Sequence, residues 1–426
     1  MDHTEKVDED AVLRARTLLL GSGRPAIGQQ VEAYRVLSSV SPLSYLPKLT
    51  EALLSYGYAP EVRDRPEVRL ARHADAVATA RRIDAGDPRR TELLVRALSA
   101  YRHGLYAAGR RAEGFAVCEE MAAAGRWGFE QGQVPSPSYG HGPLAMALAE
   151  SGKHREAAEL CGKLVEDARA EGPDKVSFWT MLEWAAELDA AGRHDAALEA
   201  FADIVDVSRG ELAEDRTSLA IVTWQLVHQA GMLDAAGRHG QARGARQEAL
   251  ALMTELDRTG ERKVWSNILS WWTTLYALSG RSAEPTPLPG APAPAFGFSF
   301  LDWSPDVRQA YFDGLPTLEA EVAGLRERAT TDPRAHLPAL VDLHRRLTIR
   351  SAVYRERRSH RILKPLRPLF NEGVALARRL ADVVGGAEGR GALGRALTDR
   401  SMFLLAARQY GEAYDDYREA VGLLGR

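Results

Sequence analysis

Apolar residues recur every three or four positions along most of this chain, and glycine-centred turns separate the stretches that carry them. That spacing predicts amphipathic helices. The clearest turn is Ala191-Gly192-Arg193-His194, and similar turns contain Gly109, Gly152, Gly237 and Gly280. The five glycines follow one another at intervals of 43, 40, 45 and 43 residues. A period of this length indicates a stack of repeated helical hairpins.

The positions around each turn carry side chains of a characteristic size. Four residues before the glycine stands a large residue, which is Leu105, Leu148, Leu188, Leu233 or Tyr276. Five residues after the glycine stands a small residue, which is Gly114, Ala157, Ala197 or Ala242. Seven residues before the glycine the residue is also small in most copies, namely Ala145, Ala185, Ala230 and Thr273, with Arg102 as the exception. Small side chains let two helices approach closely, and large ones fill the groove between them. Because one hairpin cannot bury its apolar face alone, neighbouring hairpins are expected to stack.

The pattern divides the chain into three segments. In the first, 1–280, helices are predicted over 8–20, 25–39, 43–56, 66–85, 91–108, 111–124, 142–150, 153–170, 175–191, 194–209, 216–236, 239–258 and 262–279. In the second, 281–304, five prolines between 285 and 294 exclude a helix, so we expect an extended strap that docks through Phe296, Phe298, Phe300 and Trp303. In the third, 305–426, helices are predicted over 305–330, 335–357, 365–384 and 390–424, the last span being a hairpin.

The C-terminal hairpin resembles a repeat of the tetratricopeptide repeat (TPR) family. Its signature is Leu404, then 408–413 (RQYGEA), then Tyr417 and Ala420, with Arg408 in place of the turn glycine. The repeats run about ten residues longer than the usual 34 or so, as in long-repeat members of that family. The composition is rich in alanine, leucine, arginine and glutamate and resembles that of actinobacterial proteins. The resemblance implies an all-α fold, a right-handed solenoid of stacked antiparallel hairpins, in proteins that act as scaffolds, adaptors or peptide-responsive regulators.

Composition and charge exclude several other classes. The formal net charge of the 426 residues is −3, which gives no overall attraction to nucleic acid or to an acidic membrane. The N-terminus is acidic, and no apolar stretch approaches the roughly 20 residues that span a bilayer, so we expect a soluble cytoplasmic protein. Cys118 and Cys161 stand one repeat apart at equivalent positions, which predicts inert packing and excludes a disulfide framework.

No catalytic motif stands out. The eleven histidines show no metal-binding spacing, and His154, His194 and His239 follow repeat turns, where exposure is expected. The glycine-rich stretches 21–23 and 385–391 have no preceding strand, so neither is expected to be a phosphate loop. The sequence therefore predicts a protein that is not an enzyme and needs no cofactor or metal.

Three stretches are candidates for binding. Residues 345–367 hold nine Lys or Arg against Glu356 alone, and Arg346, Arg350, Arg357 and Arg361 would share one helix face. That face is either solvated beside an apolar stripe or a clamp for a carboxylate-rich peptide, a nucleotide or a phosphate.

The other two stretches are aromatic. Trp265, Trp271, Trp272 and Tyr276 crowd one helix; Trp272 and Tyr276 occupy core positions, and Trp271 could anchor a partner. The interhelical loop 126–142, with Trp127, Phe129 and Tyr139, is either functional or packed across the end of a groove.

These features favour a non-enzymatic interaction scaffold that binds a peptide or partner protein on its concave face. The residues expected to bind are Arg346, Arg350, Arg357, Trp271 and Trp127. The alternative is a regulator that senses a peptide or a small anionic ligand such as a nucleotide and acts through a separate effector. An enzyme would require converging titratable groups that the sequence does not show. Nucleic-acid binding by 345–367 would be strongly salt-dependent, and the neutral charge balance argues against it. The sequence leaves the oligomeric state open.

Overall fold

The computed structural model describes residues 8–21, 23, 25–172, 175–261, 263, 268–288, 290–356 and 363–424. Within these ranges the regular structure is helical, and the β-type pairing is an isolated bridge between Phe296 and Phe298. The all-α prediction is confirmed, and most consecutive helices pack on one another as stacked hairpins require.

The helices lie close to their predicted positions. Before the strap they are α1 Glu9–Leu20, α2 Ile27–Val40, α3 Pro42–Gly57, α4 Pro66–Arg81, α5 Arg90–Ala107, α6 Arg111–Glu130, α7 Gly142–Glu150, α8 His154–Glu171, α9 Phe178–Ala190, α10 His194–Ala213, α11 Leu219–Ala235, α12 His239–Thr259 and α13 Ile268–Ser279. After it they are α14 Pro305–Asp313, α15 Leu315–Thr331, α16 Pro333–Glu356, α17 Leu363–Val384, α18 Gly386–Ala406 and α19 Tyr410–Leu424.

Two spans differ from the prediction by more than a shift of about one helical turn at an end. Helix α6 continues to Glu130, so the interhelical loop begins at residue 131 and not at 126. The predicted helix 305–330 is two helices: α14 ends at Asp313 and α15 begins at Leu315, with Pro316 in its first turn, where a missing N–H leaves no intrahelical bond unmade.

The repeat turns share one backbone geometry. Gly109, Gly152, Gly192 and Gly237 all have φ between 70° and 76°. At Gly109, Gly192 and Gly237 the N–H of the next residue donates to the carbonyl of the leucine four positions before the glycine, as Arg193 does to Leu188 over 2.9 Å. This bond closes a helix C-terminus through a left-handed residue. Arg408 adopts the same conformation at φ 58°, which supports its predicted equivalence to the turn glycines.

Gly280 was expected to form a further turn of this kind, and that expectation is wrong. Its φ is −100°, and a 3₁₀ turn over Arg281–Ala283 follows it. A Cβ at Gly280 would lie 2.4 Å from Cδ1 of Ile349 on α16. Glycine there makes room for the Ile349 side chain and does not serve a left-handed backbone.

The chain forms two compact units that cut across the three segments of the sequence. The first unit comprises Met1–Leu148, Gly162–Lys175 and Ser304–Asp306. Within it, each of α1 to α5 packs on the next helix, and Leu53, Leu98 and Met121 belong to a continuous buried core. The second unit comprises Ala149–Cys161, Val176–Trp303 and Val307–Arg426. The division at 280 and 305 stays a prediction about repeat organisation.

The second unit combines sequential with long-range packing. Helices α9 to α12 and α15 to α19 pack consecutively, while α13 also contacts α16 and α18, and α19 contacts α12. The Trp224 indole N–H donates to the carbonyl of Met402 over 3.2 Å. Trp272 and Tyr276 are buried among these helices, which confirms their predicted core positions. The C-terminal hairpin therefore closes against α11–α13 instead of only extending the stack.

The strap docks as predicted. Phe296, Phe298, Phe300 and Trp303 are all buried, and the Trp303 indole N–H donates to the carbonyl of Ala295 over 3.1 Å. Gly297 has φ 106°, and a Cβ there would lie 2.3 Å from the Ala186 Cβ on α9. Only glycine allows the strap to lie this close to the helix.

We predict opposite effects for the same substitution at two glycines. Gly192→Ala should lower the free energy of unfolding by about 1–2 kcal/mol, because a left-handed backbone is costly for alanine. Gly244→Ala, inside α12 with no atom within 4 Å of the added Cβ, should raise it by about 0.5–1 kcal/mol. Denaturant titration of both variants tests this. Equal changes at the two sites would contradict the role assigned to the turn.

Carboxyl groups lie together beneath the strap. Burial, then the nearby Asp302 and Glu187, raises the pKa of Glu183 from 4.5 to about 8. Glu187 is itself buried and bonds Nδ1 of His154 over 2.8 Å. Because the folded-state pKa of Glu183 is raised, its contribution to stability is complete below pH 4.5 and is lost as the pH rises through about 8.

Glu183→Gln should therefore flatten the pH dependence of stability. Relative to this variant, the wild type should lose about 1–3 kcal/mol of unfolding free energy between pH 6 and pH 9. Denaturant titrations across that range measure the difference. The control is Glu199→Gln, an exposed position on α10 that should leave the pH profile unchanged. Parallel profiles for wild type and Glu183→Gln would refute the assignment.

Candidate functional site

A cavity of about 960 Å³ lies within the second unit. Helices α9 to α13, residues 281–283, and helices α16, α18 and α19 line it. Much of its wall is apolar and includes Leu198, Phe201, Trp224, Leu275, Ile349 and Met402. Its volume is at the upper end of the range typical of small-molecule and cofactor sites.

The repeat pattern explains part of this space. Ala185 and Ala230 are the small residues seven positions before their turn glycines, and both line the cavity. Gly231 and Gly391 line it as well, and a Cβ at either would meet no atom within 4 Å. Small side chains on first helices of the hairpins thus leave room that larger neighbours do not fill.

Three arginines in the wall have close carboxylate partners. Arg281 pairs with Asp189 and also donates to the carbonyl of Ala186 over 2.7 Å. Arg345 donates from Nε to Asp399 over 2.7 Å. The third, Arg246, pairs with Asp234. These pairs place both signs of charge on an otherwise apolar surface.

Arg346 is a fourth wall arginine with weaker contacts. Its side chain is 18% exposed, and its nearest carboxylate oxygens are those of Glu284, 3.8 Å from Nε, and Glu321, 4.0 Å from Nη2. Within the described part of the chain, Nε is buried without a hydrogen-bond partner. A buried guanidinium with no short hydrogen bond is costly, so this side chain can accept an additional anion.

Two further polar atoms beside the cavity lack partners. The Trp272 indole N–H and the Tyr417 hydroxyl are buried with no hydrogen bond to any described residue, and both residues line the cavity. Trp272 is 1% exposed and Tyr417 is 2% exposed. Burial raises the pKa of Tyr417, so its hydroxyl stays protonated and able to donate. Because buried polar groups are normally satisfied, these two are candidates to bind a ligand or water.

His228 lines the same wall. Burial, followed by the nearby Arg281, lowers the pKa of its imidazole from 6.5 to about 4. Its ring centroid lies 5.0 Å from that of Phe201. At neutral pH the ring is therefore uncharged and offers one donor and one acceptor.

The predicted basic clamp is only partly at this cavity. Arg346 lines it, but Arg350, one turn further along α16, does not. Arg350 donates to Glu284 over 3.1 Å from Nε, and its guanidinium lies 4.5 Å from the centre of the Tyr311 ring. Arg346 and Arg350 therefore both face the carboxylate of Glu284, a residue of their own chain. Arg357 and Arg361 lie outside the described residues.

The predicted aromatic anchors lie elsewhere. Trp271 stacks on Phe178 at a centroid distance of 3.7 Å and contacts Trp179, away from the cavity wall. Trp127 belongs to the first unit, where the Arg90 guanidinium lies 4.4 Å from its ring centre. Both tryptophans are half-buried. Trp265 lies outside the described residues.

The long loop is anchored by packing contacts in the first unit. Gln133 accepts from the Thr91 hydroxyl over 2.7 Å and donates to the carbonyl of Ala85 over 2.7 Å. The Tyr139 backbone lies against Gly125, where a Cβ would be 1.7 Å from the carbonyl oxygen. These contacts support the packing alternative for this loop.

The remaining chemical expectations concern cysteine, histidine and metal. Cys118 and Cys161 are fully buried, as predicted. The side chains of His194 and His239 are exposed, as expected, and they bond Asp189 and Asp234 across their turns. The same expectation is wrong for His154, which is half-buried because it bonds the buried Glu187. Among the described residues, no group of three or more His, Cys, Asp or Glu is arranged to hold a metal ion. In the same part of the chain, every helix is too short or too polar to cross a bilayer.

Sequence reasoning missed Arg281, His228 and Tyr417 as cavity residues. Arg281 directly follows Gly280, which ends the first repeat series, and this position in the sequence could have identified it. His228 and Tyr417 stand at ordinary helical positions, and only the packing of helices distant in sequence brings them to one wall.

The chain is thus an all-α protein of packed helix hairpins with a ligand-sized cavity in its second unit. No family model and no curated protein matches it. A Podosopora anserina kinesin light chain structure with nearly identical TPR-like repeats is 17% identical, with coverage of 50% of this chain and 98% of its own and a TM-score of 0.37. BtubC (BKLC) from P. vanneervenii is 17% identical, with coverage of 61% and 95% and a TM-score of 0.41.

A third similar structure is a circular tandem repeat protein with a novel repeat topology. It is 16% identical, with coverage of 98% of this chain and 84% of its own and a TM-score of 0.21. Identities and TM-scores this low do not assign a family or a function. Membership of the TPR family, its long-repeat type and a bacterial origin therefore stay predictions.

Proposed function

We propose that this chain is a non-enzymatic interaction scaffold that holds a short peptide, or an extended segment of a partner protein, in the cavity of the second unit. The observation that carries the proposal is the cavity itself, because its apolar wall contains buried polar groups without partners. Stacked helical hairpins commonly bind extended segments on the surface formed by their first helices.

A peptide suits the chemistry of this wall. Its apolar side chains would pack on residues such as Phe201, Leu275 and Met402. Its backbone amides would supply acceptors for the Trp272 N–H and the Tyr417 hydroxyl, which lack them. Of the five residues that the sequence predicts to bind a partner, Arg346 is the one that we favour. We retain Trp271, with Phe178 beside it, as a second contact on a separate surface.

For Arg350, Trp127 and Arg357 we propose more limited roles. Arg350 would hold the strap through Glu284 instead of meeting the partner directly. Trp127, half-buried under Arg90, would be a contact in the first unit. Arg357, outside the described residues, would remain a predicted contact for the partner.

A ligand- or peptide-sensing regulator that acts through a separate effector is the second candidate. Helices distant in sequence form the cavity, with α11 to α13 packed against α18 and α19. An occupant that binds one arrangement of these helices better than another would shift their packing. Recovery of one stable protein partner would favour the scaffold, whereas stabilisation by small ligands with release of an effector would favour the regulator.

Filling the cavity should abolish peptide binding. Gly231→Trp and Gly391→Trp project indoles into the cavity from α11 and α18, where the added Cβ has room. Binding of synthetic heptapeptide pools, measured by affinity selection and calorimetry, should weaken at least about tenfold in each variant, which corresponds to a loss of about 1.4 kcal/mol.

Gly244→Trp is the matched control for this experiment. It makes the same substitution at an exposed helical glycine that does not line the cavity. This variant should bind peptides like the wild type. Peptide binding that survives in both filled variants, or a wild type that enriches no peptide, would refute the proposal.

A further inference from the structure

Arg346 stands between the cavity and the beginning of the strap. It lines the cavity, and its Nε lies 3.8 Å from the carboxylate of Glu284. Residues 281–283, directly before Glu284, form part of the same wall. One guanidinium therefore faces both the space available to a ligand and the first anchored carboxylate of the strap.

Glu284 has better partners than Arg346. Arg350 donates to both of its carboxylate oxygens, from Nε over 3.1 Å to Oε1 and from Nη2 to Oε2. The Tyr311 hydroxyl lies 3.5 Å from Oε1 as a third contact. Glu284 would therefore stay anchored if Arg346 turned away from it. The long contact between Arg346 and Glu284 is the weakest of the set.

The other arginines that line the cavity are less able to bind an added anion. Arg246, Arg281 and Arg345 each have a close aspartate, so an added anion would have to displace an existing pair. Arg395 lies 3.9 Å from Asp342, but its side chain is 63% exposed and therefore solvated. Water screens a contact to such a group, whereas Arg346 is largely desolvated.

We infer that the cavity selects an occupant with an apolar body and one anionic group, and that Arg346 binds this group in competition with Glu284. The apolar body packs on the aliphatic and aromatic wall, and the anion supplies the short hydrogen bonds that Arg346 lacks. Charge-assisted hydrogen bonds of this kind are about twice as strong as neutral ones. The inference rests on the proposed use of the cavity and adds the class of ligand and the residue that selects it.

Two fluorescent probes separate the anionic group from the apolar body. The probe 8-anilinonaphthalene-1-sulfonate carries one sulfonate, and N-phenyl-1-naphthylamine is its uncharged counterpart. Arg346→Gln should weaken binding of the sulfonate probe about tenfold, the loss of about 1.4 kcal/mol, and should change binding of the uncharged probe less than about twofold. Equal effects on the two probes would overturn the inference.

Removing the competing carboxylate should have the opposite effect. Glu284→Gln should tighten binding of the sulfonate probe about threefold or more, because Arg346 no longer shares a charge with the strap, and should leave the uncharged probe unchanged. Unchanged binding of the sulfonate probe would show that Glu284 and the ligand do not compete. Arg334→Gln, an exposed position on the same helix outside the cavity wall, is the matched control and should alter neither probe.

Two further variants separate folding and site effects from the inference. Arg346→Lys keeps the charge, so it should bind the sulfonate probe better than Arg346→Gln does. If the glutamine variant fails to fold, the lysine variant is compared with the wild type instead. If Gly231→Trp removes binding of both probes while Arg346→Gln affects neither, the cavity is the site and the inference is wrong. If Gly231→Trp leaves both probes bound, the cavity is not the site and the proposed function fails with it.

Competition identifies the kind of anion. Octanoate and octyl phosphate should each displace the sulfonate probe from the wild type at least about tenfold more effectively than octanol, which has the same apolar chain without charge. The stronger of the two anions indicates whether a carboxylate or a phosphate is preferred. Equal displacement by octanol would overturn the inference.

Discussion

The structure depends on the close approach of helices at small residues, with a large residue from the adjacent turn filling the groove beside them. Leu105 and Leu188 are fully buried before their turns, and Ala197 and Ala242 are fully buried after them. The turn glycines make this approach possible because their left-handed backbone ends one helix with a satisfied carbonyl and starts the next two residues later. Each hairpin then buries its apolar face only against its neighbours, so the stability of one repeat depends on its contacts with the next.

The cavity follows from the same constraint. Where small residues of several first helices face a common space, no large side chain is available to fill it. Ala185, Ala230 and Gly231 contribute from two consecutive hairpins, and Gly391 contributes from α18, more than 150 residues further along the chain. Contacts between helices of the second unit accompany this space: Phe370 stacks on Phe403 at 4.5 Å, and the Trp224 indole N–H donates to the α18 backbone. A cavity formed in this way is present before any occupant binds, and a preformed surface lowers the entropic cost of binding.

Features determined by local interactions could be predicted from the sequence. Helix positions, the turn geometry shared by Gly192 and Arg408, and the burial of Trp272 depend on residues within a few turns of each other, so periodicity was sufficient. The docking of the strap was predictable because a run of aromatics after prolines can hardly remain solvated. The packing of α13 on α16 and α18, and of α19 on α12, joins segments that no local pattern connects. For that reason Gly280 was assigned to the wrong class, and His228 and Tyr417 were not identified as neighbours of one cavity.

The basic face of α16 shows the limit of sequence reasoning most clearly. Arg346 and Arg350 stand one turn apart and looked equivalent, yet a single carboxylate on the strap distinguishes them. Glu284 cannot satisfy two guanidinium groups with short bidentate contacts, so Arg350, which also lies over the Tyr311 ring, takes the better geometry. Arg346 is left at 3.8 Å with a buried Nε that has no partner in the described chain. The carboxylate that fixes Arg350 therefore leaves Arg346 with longer contacts, so the two arginines differ in a way that their equivalent positions on one helix face do not show.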